Sequence, residues 1–497
     1  MSKQLYDPSS EPWTPRPYMK RAVKFLLEHA CAALFLDPGL GKTSITLAGL
    51  SMLLKRKLVK KVLVIAPLRV CYSVWPKEAK KWRDFNHLKI EILHGPGKED
   101  ALARDADIYV INPEGLDWLL ETEKSKTPTG KVRVDVDVRR FKRLGFDTLV
   151  IDELTKFKHT SSGRFKALEK VHKTFGRRWG LTGSPASNGL LDLFGQCLIL
   201  DEGRSLGQYI THYRQKYFDN PEGFVWVPKH GAADQIYERL APLALRMAAD
   251  DYIDMPNLIV NNIKVEMPEA VRPIYEELEE DLITKIGDRA VVATNAGVAS
   301  MKCRQVANGA IYLDPELQAT GFKVLKGKRE WAELHDAKLD ALEDLIEELQ
   351  GEPILVAYDF GHDLQRLQKR LGKDVPYIGG GVSAKRSTEL ELAWNAGELP
   401  VLLGHPQSMG HGLNLQEVGH HVAWFAMTWD FELYDQFIRR VWRSGNKHAR
   451  VFVHHFMTED TIDETMLYAL RSKDRGQQAL FKALYELARK RKKLSRD

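Results

Sequence analysis

The stretch Leu36-Asp37-Pro38-Gly39-Leu40-Gly41-Lys42-Thr43 constrains this chain more than any other, because an apolar run, Cys31 to Phe35, precedes it and a helix-like segment, Ser44 to Lys55, follows. Strand, glycine turn and helix in that order aim backbone N–H groups and a helix N-terminus at one point, which is where a polyphosphate is best held. Gly39 and Gly41 allow close backbone approach, with Pro38, Leu40 and Ser44 beside them. Lys42 is expected to reach the outer phosphates, and the Thr43 hydroxyl to ligate Mg²⁺. The full phosphate-loop pattern asks for glycine where Leu36 stands, so only the shorter Gly-x-Gly-Lys-Thr form is met.

A second element strengthens the first. In Thr148-Leu149-Val150-Ile151-Asp152-Glu153 an apolar strand ends in two adjacent carboxylates. One acid at such a strand end can hold Mg²⁺, while its neighbour orients or deprotonates an attacking water.

With 497 residues, two to four domains are expected, each able to bury a core. A net charge of +6 permits a nucleic-acid partner without demanding one. Cys31, Cys71, Cys197 and Cys303 form no Cys-x-x-Cys pair, so neither a thiolate zinc site nor a disulfide framework is indicated. No apolar run approaches a membrane span, and the N-terminus does not read as a signal peptide, so a cytoplasmic protein is expected.

Along the chain, residues 1–15 read as a flexible arm, and a helix begins after Arg16-Pro17-Tyr18. Tyr18 could stack on a base or pack against its own helix. Lys61 to Pro67, Ile90 to Leu93, Asp107 to Ile111 and Gly180 to Pro185 are further strand patterns. A helix over Val70 to Asp84 mixes Trp75 and Trp82 with basic residues, which suits a phosphate-binding surface or a half-buried helix equally. Glu121 to Arg140, with alternating Val132, Val134, Val136 and Val138, reads as a hairpin insertion.

Residues 16–200 are thus expected to form one α/β domain, 201–262 a helical insertion and linker, 263–475 a second α/β domain, and 476–497 a basic tail. The second domain should open with a helix from Pro268 to Lys285, and its strands are sought at 353–358, 399–404 and 422–425.

The order of signatures resembles helicase superfamily two, and within it the Swi/Snf-like DNA translocases, especially the short forms found in phages. Asp37 to Thr43 is similar to motif I, Val64 to Pro67 to motif Ia, and Ile151-Asp152-Glu153-Leu154 to motif II. Leu181 to Asn188 is similar to motif III, Ser408 to Gln416 to motif V, and Gln436 to Asn446 to motif VI. Departures are Met19, where relatives carry an adenine-reading Gln, Leu154 and Thr155 after the carboxylates, and Asn446 in place of a common Gln. With the usual residue gone, Thr155 or Lys158 is expected to link motif II to motif III.

The resemblance implies two RecA-like domains in tandem, with parallel sheets flanked by helices and a nucleotide cleft between them. It implies ATP and Mg²⁺ as cofactors, with Lys42, Asp152, Glu153, Arg440 and Arg443 catalytic and Thr43 and Asp152 on the metal. Tyr18, Pro38 to Ser44, Gly412 and Gln436 would face the nucleotide. Arg440 and Arg443, three apart on a helix, would share one face and reach the transferring phosphate.

DNA, mainly double-stranded, would meet Pro67, Arg69, Asn112, Thr182, Gly183, Ser184, Ser383, Arg386 and Ser408. The implied protein is a monomeric motor in the cytoplasm, that of a host cell if phage-encoded, working beside replication, repair or recombination proteins. An RNA helicase, or a clamp that hydrolyses ATP only for release, are the alternatives. The run Arg489 to Lys493 reads as an extra DNA grip or as a solvated end.

Overall fold

A computed structural model describes residues 11–126, 132–187, 189–220, 226–249, 252, 255–280, 283–286, 289–292, 296–313, 330–409 and 412–474. The chain divides into two compact units, Met1–Asp254 with Lys473–Asp497, and Met255–Ser472. Each is built on a parallel sheet.

In the first unit, four-residue apolar runs with no polar face make strands buried on both sides. Val62–Ile65 and Ile108–Ile111 are buried at every position. Numbered along the two main sheets, the strands are β1 Cys31–Leu36, β2 Val62–Ile65, β3 Ile90–Ile92, β4 Ile108–Ile111, β5 Thr148–Asp152, β6 Arg177–Thr182 and β7 Ala244–Met247. They lie in the order β7-β1-β6-β5-β2-β4-β3, and all neighbours run parallel. The C-terminal ends of the strands therefore share one edge, where α/β proteins hold their ligands.

The second unit contributes β8 Asn257–Val265, β9 Ile354–Ala357, β10 Tyr377–Ile378, β11 Val401–Gly404, β12 His421–Trp424 and β13 Arg450–Thr458. Their order is β8-β13-β12-β9-β11-β10, again wholly parallel. Leu355, Leu402, Val422, Trp424 and Val453 fill one face of this sheet, while Val356, Leu403, Ala423 and Phe456 fill the other.

Several expectations need correction. Residues 11–14 are docked rather than loose: Arg83 N–H donates to Glu11 O at 2.8 Å, and Trp13 packs on Phe85 with ring centres 5.3 Å apart. The segment 201–262 holds helices Ile210–Tyr217 and Ala232–Leu240, yet it also supplies β7 to the first sheet and β8 to the second. The helix sought over Val70 to Asp84 is two, Leu68–Ser73 and Trp75–Lys81, because Pro76 cannot continue a preceding turn.

The hairpin pairs Glu123–Lys126 with Val132–Asp135 and stops there. Asp137 then accepts the Arg140 N–H at 2.9 Å and caps the helix Val138–Arg143, which removes Val136 and Val138 from the strand. The helix expected over 268–285 spans Arg272–Glu280, and a strand pair, Ile283–Ile286 with Arg289–Val292, follows it. Cys71, Cys197 and Cys303 are buried thiols, whereas Cys31 is only half-buried. The basic tail and Asn188, Gly410 and His411 of motifs III and V lie outside the described residues.

Candidate active site

The turn after β1 is held from behind. Asp37 Oδ1 pairs with Arg246 Nη2 at 2.7 Å, and Asp37 Oδ2 accepts the Ala249 N–H at 2.9 Å. Both partners come from β7 and the residues after it, so the sheet edge itself sets where the loop starts. Gly39 and Gly41 take φ of 88° and 74°, the left-handed region that a side chain disfavours. At Gly41 a Cβ would also meet Met19 Cε and Ser44 Oγ at 3.0 Å. Gly41 is the N-cap of the helix Lys42–Lys55, so the loop's N–H groups and the helix N-terminus point the same way. Lys42 Nζ donates to Leu36 O at 2.8 Å, placing its ammonium across the mouth of the loop. Thr43 is partly exposed in the first turn, and Ser44 is buried, its hydroxyl donating to Gly41 O at 3.0 Å.

Across the sheet, β5 delivers the carboxylate pair. Asp152 Oδ2 accepts the indole N–H of Trp75 at 3.0 Å, and Trp75 is fully buried. Burial, reinforced by the charge of Glu153, pushes the Asp152 carboxyl up to about 6, against the pull of Trp75 and Lys42. Glu153 has φ 71°, a conformation that costs a non-glycine residue about 1–2 kcal/mol. Its N–H donates to Leu181 O at 3.0 Å, and its Oε1 accepts the hydroxyls of Thr155 at 3.2 Å and Thr182 at 3.1 Å. Left-handed backbone and paired threonines aim this carboxylate along the ends of β5 and β6.

Thr155 bonds Glu153 within motif II, and it is Thr182 of motif III that reaches across to the carboxylate. Lys158 makes the expected link toward motif III: its ammonium sits 3.5 Å from Ser187 Oγ and 3.4 Å from Asp192 Oδ2.

Arg440 and Arg443 depart from the helical expectation. The helix Phe431–Ile438 ends before them. Arg440 N–H turns to Phe437 O at 3.1 Å, while the Arg440 guanidinium takes the vacated Gln436 O at 2.9 Å and Leu413 O at 3.1 Å. A side chain capping its own helix end stops propagation and ties motif VI to motif V. Arg440 is consequently 8 % exposed. Arg443, three residues on, is half-buried, contacts Asn414 Oδ1 through Nη1, and leaves its Nε without a hydrogen-bond partner. Gln436 is also buried and donates to Glu432 at 3.2 Å, whereas Gly412 takes a φ of 76° in the motif V turn.

Of the expected DNA contacts, Pro67, Arg69 and Gly183 are part-exposed at the same sheet edge as the phosphate loop, and Ser383, Arg386 and Ser408 are exposed in the second unit. Thr182, Ser184 and Asn112 are corrected: they are 0 %, 4 % and 6 % exposed. Thr182 holds Glu153 and accepts the Ser184 N–H at 3.2 Å, so its hydroxyl orients that carboxylate from within the core. Asn112 donates to Glu114 at 2.9 Å. Tyr18 is buried with its ring 4.9 Å from that of Tyr252. Sequence reasoning missed Trp75 as an Asp152 partner and Arg246 as the anchor of Asp37.

A phosphate loop and a strand-end carboxylate pair on one edge of a parallel sheet define a P-loop nucleoside triphosphatase. The chain belongs to the SNF2-related family: the SNF2-related domain matches residues 18–315, and the helicase conserved C-terminal domain matches 337–445. It is a nucleic-acid-dependent ATPase of helicase superfamily two.

"Putative protein p41" of Acyrthosiphon pisum secondary endosymbiont phage 1 is 34 % identical over 95 % of this chain and 99 % of its own length. An uncharacterized ATP-dependent helicase of Mycoplasma pneumoniae is 25 % identical over 90 % of this chain and 40 % of its own. Among solved structures, the Sulfolobus solfataricus SWI2/SNF2 ATPase core in complex with dsDNA aligns over 98 % of this chain and 97 % of its own, with 21 % identity and a TM-score of 0.42. Among the described residues no helix is long and apolar enough to cross a membrane.

Proposed function

We propose that this ATPase is a motor that moves along double-stranded DNA, with hydrolysis gated by contact with the polymer. The observation that carries the reading is the path from base to turn: Glu153 is held by Thr182, and Thr182 in turn accepts the N–H of Ser184 in the part-exposed turn after β6. A polymer pressing on part-exposed Gly183 would shift the Ser184 N–H behind it and, through Thr182, the group that orients water. The site also fits the metal of the reaction. A helix-start hydroxyl, Thr43, and the carboxylate Asp152 form an oxygen-only donor set suited to Mg²⁺, with Lys42 beside them for the outer phosphates. Arg443 would act on the transferring phosphoryl group during turnover, while Arg440 holds the turn that presents it. Pro67, Arg69, Gly183, Ser383, Arg386 and Ser408 would touch backbone phosphates, which gives sequence-independent binding. Two relatives bear the names of DNA repair proteins, RAD5 of Gibberella zeae, 28 % identical over 43 % of this chain, and RAD54B of Mus musculus, 23 % identical over 95 %, and they fit a role on DNA.

ATPase rates with duplex DNA, single-stranded DNA and RNA test this directly. Duplex DNA of any sequence should stimulate, and stimulation should fall steeply with salt. Displacement of a third strand from a triplex then reads motion. Stimulation by RNA but not by duplex would make the protein an RNA helicase, and stimulation without displacement would make it a clamp.

A further inference from the structure

At the N-terminal edge of the second sheet, opposite the strand ends that deliver Asp359 and His405, three side chains converge that the ATPase chemistry does not use. Strand register brings them together. Ile354 of β9 lies beside His421 of β12, which lies beside Phe452 of β13, and Glu352 precedes Ile354 by two residues. His420 Nε2 and His421 Nε2 stand 2.9 Å and 3.0 Å from the same oxygen, Glu352 Oε2. Among the described residues this is the one group of His, Cys, Asp or Glu in which three ligand atoms lie within 4.8 Å of one another.

Two further observations separate this cluster from an ordinary solvated ion pair. The rings are 7 % and 6 % exposed, while Glu352 opens to solvent and leaves a path for an ion. Behind them, His421 Nδ1 is 3.1 Å from His454 Nε2, the kind of outer partner that fixes tautomer and ring direction for a metal-bound histidine. On the other side His448 stacks on His420 with ring centres 3.7 Å apart, and buried His420 Nδ1 has no hydrogen-bond partner.

The spacing also suits coordination. Two ligands at the tetrahedral angle on bonds of about 2.1 Å lie about 3.4 Å apart, so each N···O separation needs to open by only a few tenths of an ångström to admit the ion. Two imidazoles and one carboxylate select a borderline ion over Mg²⁺, which takes oxygen.

We propose that Glu352, His420 and His421 bind a divalent transition-metal ion of the Zn²⁺ class, with His454 orienting His421. Such an ion would pin the entry to β9 against the start of β12. Through the stacked His448 it would also steady the loop that returns from Arg443 to β13, a loop already held by Asn446 Nδ2 on Gly419 O at 2.8 Å.

The test uses the full chain, treated with chelator and titrated with Co²⁺ alone. Expected is one equivalent bound, with a visible ligand-field absorption that Zn²⁺ displaces. Glu352→Gln should weaken Co²⁺ by at least ~100-fold, and His454→Phe by ~10–100-fold. Asp152→Asn should leave the signal intact, which separates this site from the ATP site. Zn²⁺ should raise the melting temperature of the wild type and not of Glu352→Gln. Because Glu352 is exposed, that variant keeps its packing, and circular dichroism confirms it. No ligand-field signal, or equal affinity in wild type and Glu352→Gln, would overturn the site.

Discussion

The two sets of proposed catalytic residues are built in opposite ways. In the first unit, Asp152 and Glu153 come from the end of β5 and Lys42 opens the helix after β1, and each is aimed by a group beside it: the Trp75 indole, two threonine hydroxyls and Leu36 O. In the second unit, Arg440 and Arg443 lie past the end of a helix, in a turn stitched to motif V by side-chain contacts. The first arrangement rests on a sheet edge and a left-handed Glu153 backbone, with side chains trimming the direction. The second rests on side-chain contacts past a helix end.

The sharpest break should come from the fixed side. Glu153→Gln keeps the shape and the threonine contacts but removes the base, so turnover should fall by ~10²–10⁴-fold while ATP stays bound. Lys42→Ala should lose both hydrolysis and nucleotide affinity. Single-turnover rates with a filter-binding measurement distinguish the two, and wild-type turnover in Glu153→Gln would remove the base assignment.

On the adjustable side, the two arginines should part company. Arg443→Ala is expected to cost at least ~10³-fold in rate with ATP affinity nearly unchanged, as for arginines that stabilise a transferring phosphate. Arg440→Ala uncaps Gln436 O and Leu413 O and should lower the denaturant midpoint of the second unit as well. Equal stability and equal rate loss in both variants would erase the distinction drawn between strut and finger.

A third measurement asks what holds the second unit together. Buried His335 bonds Val306 O at 2.9 Å through Nε2, and burial, aided by Arg366 and Lys338, lowers its pKa from 6.5 to about 4. The unfolded chain takes up the proton that the folded one refuses, so this contribution is present above pH 6.5 and is lost as pH falls toward 4. Relative to His335→Gln, the wild type should lose up to ~3 kcal/mol over that window in urea melts. Parallel stability curves would show that His335 does not titrate this way.

What could be read ahead follows the same divide. Glycines at left-handed turns and unbroken apolar runs are local signals, so the phosphate loop, the carboxylates, β1 to β6 and the strands β9, β11 and β12 were legible, whereas β8, β10 and β13 were not. The Arg246 to Asp37 pair was not, because its partners are far apart in sequence and β7 is a four-residue strand with an arginine inside it. The helical reading of Arg440 and Arg443 failed for a related reason. Their periodicity continues the helix, but the carbonyl that decides its end is captured by a side chain, which no spacing reveals.

Trp75 is the contact that sequence reasoning left open between a phosphate-binding surface and a half-buried helix, and its effect should be the smallest. Its ring is fully buried and its N–H reaches Asp152. Trp75→Phe keeps most of the apolar volume and removes one donor to a carboxylate, a hydrogen bond of about 1.5–3 kcal/mol to a charged group. Asp152 would then be oriented less well, and the Mg²⁺ concentration for half-maximal ATPase should rise by ~10-fold with the saturated rate nearly kept. Affinity for duplex DNA should not change, since the indole is out of reach of a polymer. Loss of DNA affinity with an unchanged Mg²⁺ requirement would return Trp75 to the surface role and detach it from the metal side of the site.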